Sequence, residues 1–399
     1  MRSDIRGSSS PWLPFAFLVC FGAAFLLRPA PVWALTFYLG VLPATLYRLW
    51  RGPPLDWRDG NMVLTALLIL WLVLTLLLGD NPGGGRVPKF LWGAICTSIF
   101  FIGLVTMLRD SPQSARRIGT VFIWFGGINA AFSVVFFFFQ PSSRLVGWAE
   151  TRHSILGALI IGACCLFAFD RALHERSHRY AHGAMTVLFL LFIVLTGSRG
   201  PLFSIAAAMA VLLLDVSRRV ILLVLAAAIG IAAAIVFEPH LWAAIAQPMI
   251  ERASYRPEIW SFTLDRVAER PWLGHGMAAY LGMTADFTFP HNLYLSSLFY
   301  SGIVGLCLLL ALIVSVTTGL VRSLDRPGRR LILALWVLVL CGGLTDLGQV
   351  TEGPGTLWLT LWLPLGMATA ALAADRVRRD SVGKAQGSAV SEAPERLHA

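Results

Sequence analysis

"HNLYLSSLFYSGIVGLCLLLALIVSVTTGLV", residues 291–321, runs without a single Asp, Glu, Lys or Arg. A helix of about 20 such residues crosses a hydrocarbon core of about 30 Å, so this stretch alone is long enough to span a bilayer. It nevertheless opens on a polar pair, His291 and Asn292, directly after Pro290. The apolar run assigns the chain to a membrane, and the imidazole at its top marks a candidate for chemistry at the membrane boundary.

The rest of the chain follows the same pattern. Of its 399 residues 57% are hydrophobic and 14% charged, with a mean hydropathy of +0.71, too little polar surface for a soluble protein of this length. Apolar windows predict spans at roughly 11–28, 31–49, 61–79, 88–108, 118–139, 153–170, 182–196, 200–215, 219–237, 291–321, 329–348 and 354–374. The first is long enough to span, and no small-residue cleavage site follows it, so it reads as a helix and not as a signal peptide. The fold class is therefore an all-α polytopic membrane protein of about 12 transmembrane helices.

The net charge of +10 does not indicate nucleic-acid binding, because the charges lie in short loops between apolar segments. They set topology. With the N-terminus in the cytoplasm, 22 of the 32 Lys and Arg fall inside, and every inside loop is basic. Both termini are then cytoplasmic. The chain reads as a single membrane domain over 1–399, with one long periplasmic loop at 238–290 and a polar tail at 380–399 expected to be disordered. Within the loop, "RPEIWSFTLDRVAER" predicts a short amphipathic helix from near Pro257 with Ile259, Phe262, Leu264 and Val267 at helical spacing, and "PWLGHGM" breaks it. The six cysteines all lie in apolar segments without metal-site spacing. No carboxylate cage or His cluster suggests a metal, and no motif suggests a cofactor.

Three short motifs share the outer side. "TGSRGP", 196–201, is a glycine-shaped turn that places Arg199 at a helix start with Pro201 in its first turn. "YRPEIW", 255–260, again sets an arginine, Arg256, before a proline at a helix start. The third is Pro290–His291. Each taken singly is compatible with an interfacial anchor or a solvated charge. Together they are three helix N-termini facing one compartment, each with unpaired N–H groups and partial positive charge. Two carry the planar fork that suits phosphate oxygens, which is a recipe for an anion site. Lys89 and Arg152, at the outer ends of the fourth and sixth spans, are further candidates for binding the anion. Histidine is the natural proton acceptor there. His275, Glu258, Asp346 and His153 are weaker acid–base candidates on the same side. The residues alone thus suggest a membrane enzyme acting on a phosphorylated substrate. A transporter would place its charges near the bilayer midplane, often in repeated halves, and no repeat is visible.

The stretch "HNLYLSSLFYSGIVG", with His291–Asn292, nine residues, Gly302, two residues and Gly305, resembles the motif of bacterial O-antigen ligases. "TGSRG" is similar to the arginine-bearing turn of the superfamily that also holds O-antigen polymerases and protein O-oligosaccharyltransferases. The matched motifs run from Thr196 to about Asp346; the His291–Gly305 spacing points to the ligases, the arginine turn only to the superfamily. The resemblance implies a metal-independent glycosyltransferase of GT-C-type architecture in the bacterial inner membrane. It implies transfer of a glycan from undecaprenyl diphosphate to lipid A–core at the periplasmic face, completing lipopolysaccharide. Carried over by position, Arg199 and Arg256 bind the diphosphate, His291 is the base, and Asn292 orients a sugar or the turn. The partners implied are the lipid-linked glycan, lipid A–core and the bilayer, with no nucleic acid.

Overall fold

A computed structural model describes residues 12–80, 85–139, 144–214, 216–243, 247, 254–284, 287–348 and 350–391. The expected outer-loop segments 244–246, 248–253 and 285–286 and the last eight residues of the tail lie outside the described residues. Among those described, helix is the only regular secondary structure. α1 is Trp12–Leu26. α2 begins at Ala30–Thr36, passes through a π-helical segment Phe37–Val41 and ends as Leu42–Arg51. Then follow α3 Gly60–Leu78, α4 Arg86–Asp110, α5 Gln113–Phe139, α6 Leu156–His174, α7 Arg179–Leu195 and α8 Arg199–Leu213. α9 is Arg218–Phe237, α10 Arg256–Glu269, α11 Leu293–Val321, α12 Arg329–Gly343 and α13 Leu363–Ser391.

Helix occupies each of the twelve stretches read as apolar. Among the described residues, six helices are long and apolar enough to cross a membrane: Pro31–Arg51, Gly60–Leu78, Arg86–Asp110, Gln113–Phe139, Leu156–His174 and Leu293–Val321. Trp12–Leu26, Arg179–Leu195 and Arg199–Leu213 are apolar but shorter. The principal packing pairs are α8 with α12, α6 with α7, α3 with α11 and α4 with α13. In lipid such packing rests on van der Waals fit more than on the hydrophobic effect. The buried surfaces accordingly interlock: Phe100 stacks on Trp358 with ring centroids 4.4 Å apart, and Phe122 meets both Phe21 and Phe25 edge-on.

Ion pairs link the helix ends into two separate groups. Arg48 pairs with Asp110, Arg109 with Asp56, Arg116 with Glu175, Arg326 and Arg329 with Asp375, and Arg376 with Asp59. All belong to ends expected on one side. Asp80, Arg270, His275, His291 and Asp346 pair among themselves at ends expected on the other.

Two features build the end of the bundle that carries Arg256 and His291. α10 forms where its sequence predicts, but the face it buries is Ile259, Thr263 and Val267, four residues apart, while Leu264 stays exposed. The second feature is a break in α11. Gly302 has φ 66° and ψ −169° inside the helix, a backbone region essentially confined to glycine. A Cβ there would lie 2.1 Å from the Trp272 carbonyl oxygen. A broken helix frees backbone groups that lipid cannot satisfy. Here the 271–276 segment satisfies them: His275 N–H donates to Phe299 O (2.8 Å), Gly276 N–H to Tyr300 O (2.9 Å) and Ile303 N–H to Pro271 O (2.8 Å). Trp71 Nε1 donates to Ser301 O (2.9 Å). The "PWLGHGM" segment is thus wedged into α11 and ties the connection after α10 to the bundle.

Candidate functional site

Three helix starts converge on one cavity of about 280 Å³, lined among others by Arg144, Arg199, Tyr255, Arg256, Phe287 and His291. Arg199 is the first residue of α8 and Arg256 the first of α10. His291 precedes the N-cap of α11 and sits in the left-handed region at φ 52°. Each element is placed by a local sequence device. Gly200 lets α8 approach the turn after α12 closely: a Cβ at 200 would stand 2.2 Å from Thr345 Oγ1. The Thr345 carbonyl on that turn accepts from Arg256 Nε at 2.9 Å, which docks the start of α10 against the end of α12.

Asn292 is the N-cap of α11. Its side-chain oxygen accepts from Tyr294 N–H (2.9 Å) and Leu295 N–H (3.1 Å), and its Nδ2 donates to Leu344 O (3.1 Å). The amide therefore acts on backbone and fixes the turn that presents His291. The imidazole lies against the Phe289 ring, centroids 3.8 Å apart. Its Nδ1 is 3.3 Å from Asp346 Oδ1. Asp346 is 1% exposed. Its Oδ1 also accepts from Leu347 N–H at 3.0 Å, while its buried Oδ2 has no hydrogen-bond partner.

The electrostatics follow from this crowding. Burial lowers the Arg256 guanidinium from its ordinary value, Asp346 pulls it back up, and neighbouring Arg199 lowers it further. Like cations are held side by side in a partly buried cavity, an arrangement an anion would relieve.

The other expected residues lie elsewhere. Lys89 and Arg152 do not line the cavity. Lys89 sits by Glu352 and Arg152 by Glu150, and the two carboxyls also feel one another. Burial raises both acids, Glu150 to about 7. His275 is a buried strut in the wedge: its Nδ1 meets Asp80 Oδ2 (2.7 Å) and its Nε2 the Arg266 carbonyl (2.8 Å). Glu258 points outward from α10. His153 lies just ahead of α6, its Nδ1 accepting from Ile155 and Leu156 N–H groups, close enough to Asp346 and His291 to feel their charges. Arg144 is a cavity residue that the sequence reading counted only as a loop charge. Among the described residues, no three or more His, Cys, Asp or Glu side chains form a group suited to a metal.

Most of the cavity lining, though not Arg144 and Ile155, falls within a region that matches a known family. Residues 184–310, which carry Arg199, Arg256 and His291, match the family model described as O-antigen ligase. Over 382 residues the chain is 27% identical to an O-antigen ligase of Pseudomonas aeruginosa, covering 92% of each protein. Residues 184–310 are thus similar to the O-antigen ligase family model, and the chain as a whole is similar to an O-antigen ligase over nearly its full length.

Proposed function

We propose that the protein transfers an O-antigen glycan from undecaprenyl diphosphate to lipid A–core at the periplasmic face of the bacterial inner membrane. The observation that carries this reading is the cavity itself, where Arg199, Arg256 and His291, drawn from three helix starts, share one space. The architecture we infer is a twelve-span membrane domain of GT-C type, with the 238–290 segment as its periplasmic loop and both termini in the cytoplasm.

The chemistry follows from charge. The two arginines hold the diphosphate of the donor by bidentate contacts. Asp346 Oδ1 accepts the Nδ1 proton of His291, which leaves Nε2 as the lone-pair nitrogen. Nε2 takes the proton of the acceptor hydroxyl as that oxygen attacks the anomeric carbon. The new C–O bond forms as the bond to the diphosphate oxygen breaks, in a single inverting displacement. The diphosphate leaves as a polyanion on the arginines, so it needs no proton and no metal. A positioned base contributes about 10²–10⁴-fold to such a step. Asn292 is a positioning residue through its cap.

The test is purified protein in detergent with lipid-linked glycan and lipid A–core, read as joined product. Product formed without lipid A–core, by lengthening of the lipid-linked glycan, would instead identify a polymerase.

A further inference from the structure

Arg144 lies in the connection between α5 and α6, far in sequence from the two helix-start arginines, yet it lines the same cavity. Its fork is anchored on the turn that carries Arg199: Nε donates to Thr196 O (2.8 Å) and Nη2 to Ser198 Oγ (2.6 Å). Ser198 Oγ in turn donates to Ser154 O (3.1 Å). The charge of Arg144 reaches His153, which also feels Asp346 and His291. The guanidinium is therefore pre-oriented at the rim of the site.

Charge balance gives this a purpose. A diester of diphosphate carries two negative charges, and a third develops as the sugar–oxygen bond breaks. Arg199 and Arg256 match the first two, but Asp346, against Arg256 and His291, cancels part of that field. One more fixed cation restores the balance and meets the developing charge, where preorganised positive charge acts most strongly on rate.

We propose that Arg144 is a third phosphate-binding arginine of the donor site, holding the diphosphate together with Arg199 and Arg256. The inference rests on the donor reading above. It gives this site a specificity for diphosphate over monophosphate that two arginines alone would not supply.

The probe is inorganic pyrophosphate, with inorganic phosphate alongside. Binding to the full-length protein in detergent is measured by calorimetry, and competition with the lipid-linked donor by turnover. Arg144→Gln is expected to weaken pyrophosphate about tenfold or more, the size of one charge-assisted hydrogen bond, while phosphate changes less. Arg144→Lys, which keeps the charge, is expected to recover part of that loss and stands as the test should Arg144→Gln fold poorly. If Arg256→Gln weakens pyrophosphate but Arg144→Gln stays within twofold of the parent, the Arg144 assignment is overturned and the donor site stands. If neither variant changes pyrophosphate binding, the donor reading falls and this inference with it. If Arg144→Lys binds as poorly as Arg144→Gln, Arg144 serves only to anchor the 196–198 turn, and the proposal is wrong.

Discussion

Asp346 Oδ1 stands 3.3 Å from Nδ1 of His291, and the same carboxylate, 1% exposed, has its second oxygen unpartnered. A buried carboxylate left half-satisfied is costly unless a charge nearby makes use of it. Its neighbours are His291 and Arg256, one on each side of the proposed reaction. The pair therefore links the base to the cation clamp through one acid.

From this pair, His291→Gln should fold and insert, because residue 291 is at a helix end, and should bind lipid-linked glycan while losing about 10²–10⁴-fold in turnover. Gln hydrogen-bonds but cannot accept a proton at neutral pH. Asp346→Asn should also lower turnover, since it perturbs the tautomer and orientation of the imidazole, while binding the anionic donor at least as well as the parent, since it removes the charge that offsets Arg256. Turnover and donor KM for both variants decide the matter; near-normal turnover in His291→Gln would move the base to another residue.

For the clamp, Arg199→Ala or Arg256→Ala should cost about 1.5–3 kcal/mol of transition-state stabilisation, or about 10–150-fold in kcat/KM. Lys should rescue each only in part, because it lacks the fork. Arg256→Ala should show the larger effect on stability as well, since its Nε holds Thr345 O and docks α10. Unchanged kcat/KM in both Ala variants would refute the diphosphate clamp.

How much of this was legible in the sequence depended on whether the determinant was local. Apolar run length located the helices, and proline after arginine located two helix starts, because both are properties of a few adjacent residues. The N-cap role of Asn292 was equally local, an Asn just ahead of an apolar helix, and corresponds to the second of its two expected roles, orienting the turn. Contacts across 50 or so residues were not legible. Arg144 meets Thr196, and Asp346 meets His291, only once α8, α11 and α12 are packed. Lys89 and Arg152 shared the expected side of the membrane, but side does not fix lateral position, and packing put them beside Glu352 and Glu150. The break at Gly302 was visible as a glycine in a motif, but its reason, the carbonyl of Trp272, lies in another segment.

Gly302→Ala tests that reason. Alanine would need a glycine-only backbone region, about 1–3 kcal/mol, and its Cβ would overlap the Trp272 carbonyl. The wedge should be expelled from α11, exposing unsatisfied carbonyls. A fall in the detergent melting temperature and loss of turnover are expected together. His275→Ala, which removes the strut between Asp80 and Arg266, should lower the melting temperature without abolishing donor binding. A Gly302→Ala variant as stable as the parent would show that the break is not needed.

The buried acid pair yields a pH prediction of definite sign. Burial raises Glu150 from an ordinary value near 4.5 to about 7; Arg152 opposes this and Glu352 adds to it. Glu150 is 4% exposed and its Oε1 has no partner, so the neutral form is the one the fold accommodates. A carboxyl whose folded value lies above its unfolded value binds more protons in the native state between the two. Stability is therefore fully present below about 4.5 and declines as pH rises through about 7, by a total on the order of 2–3 kcal/mol. Glu352, raised by burial and restrained by Lys89, acts in the same direction. Glu150→Gln keeps the shape without the charge, so it should raise the melting temperature relative to the parent at pH 8 and change it little at pH 4.5. A variant-minus-parent difference that is the same at both pH values would mean that Glu150 titrates alike in the folded and unfolded protein, with Arg152 balancing burial.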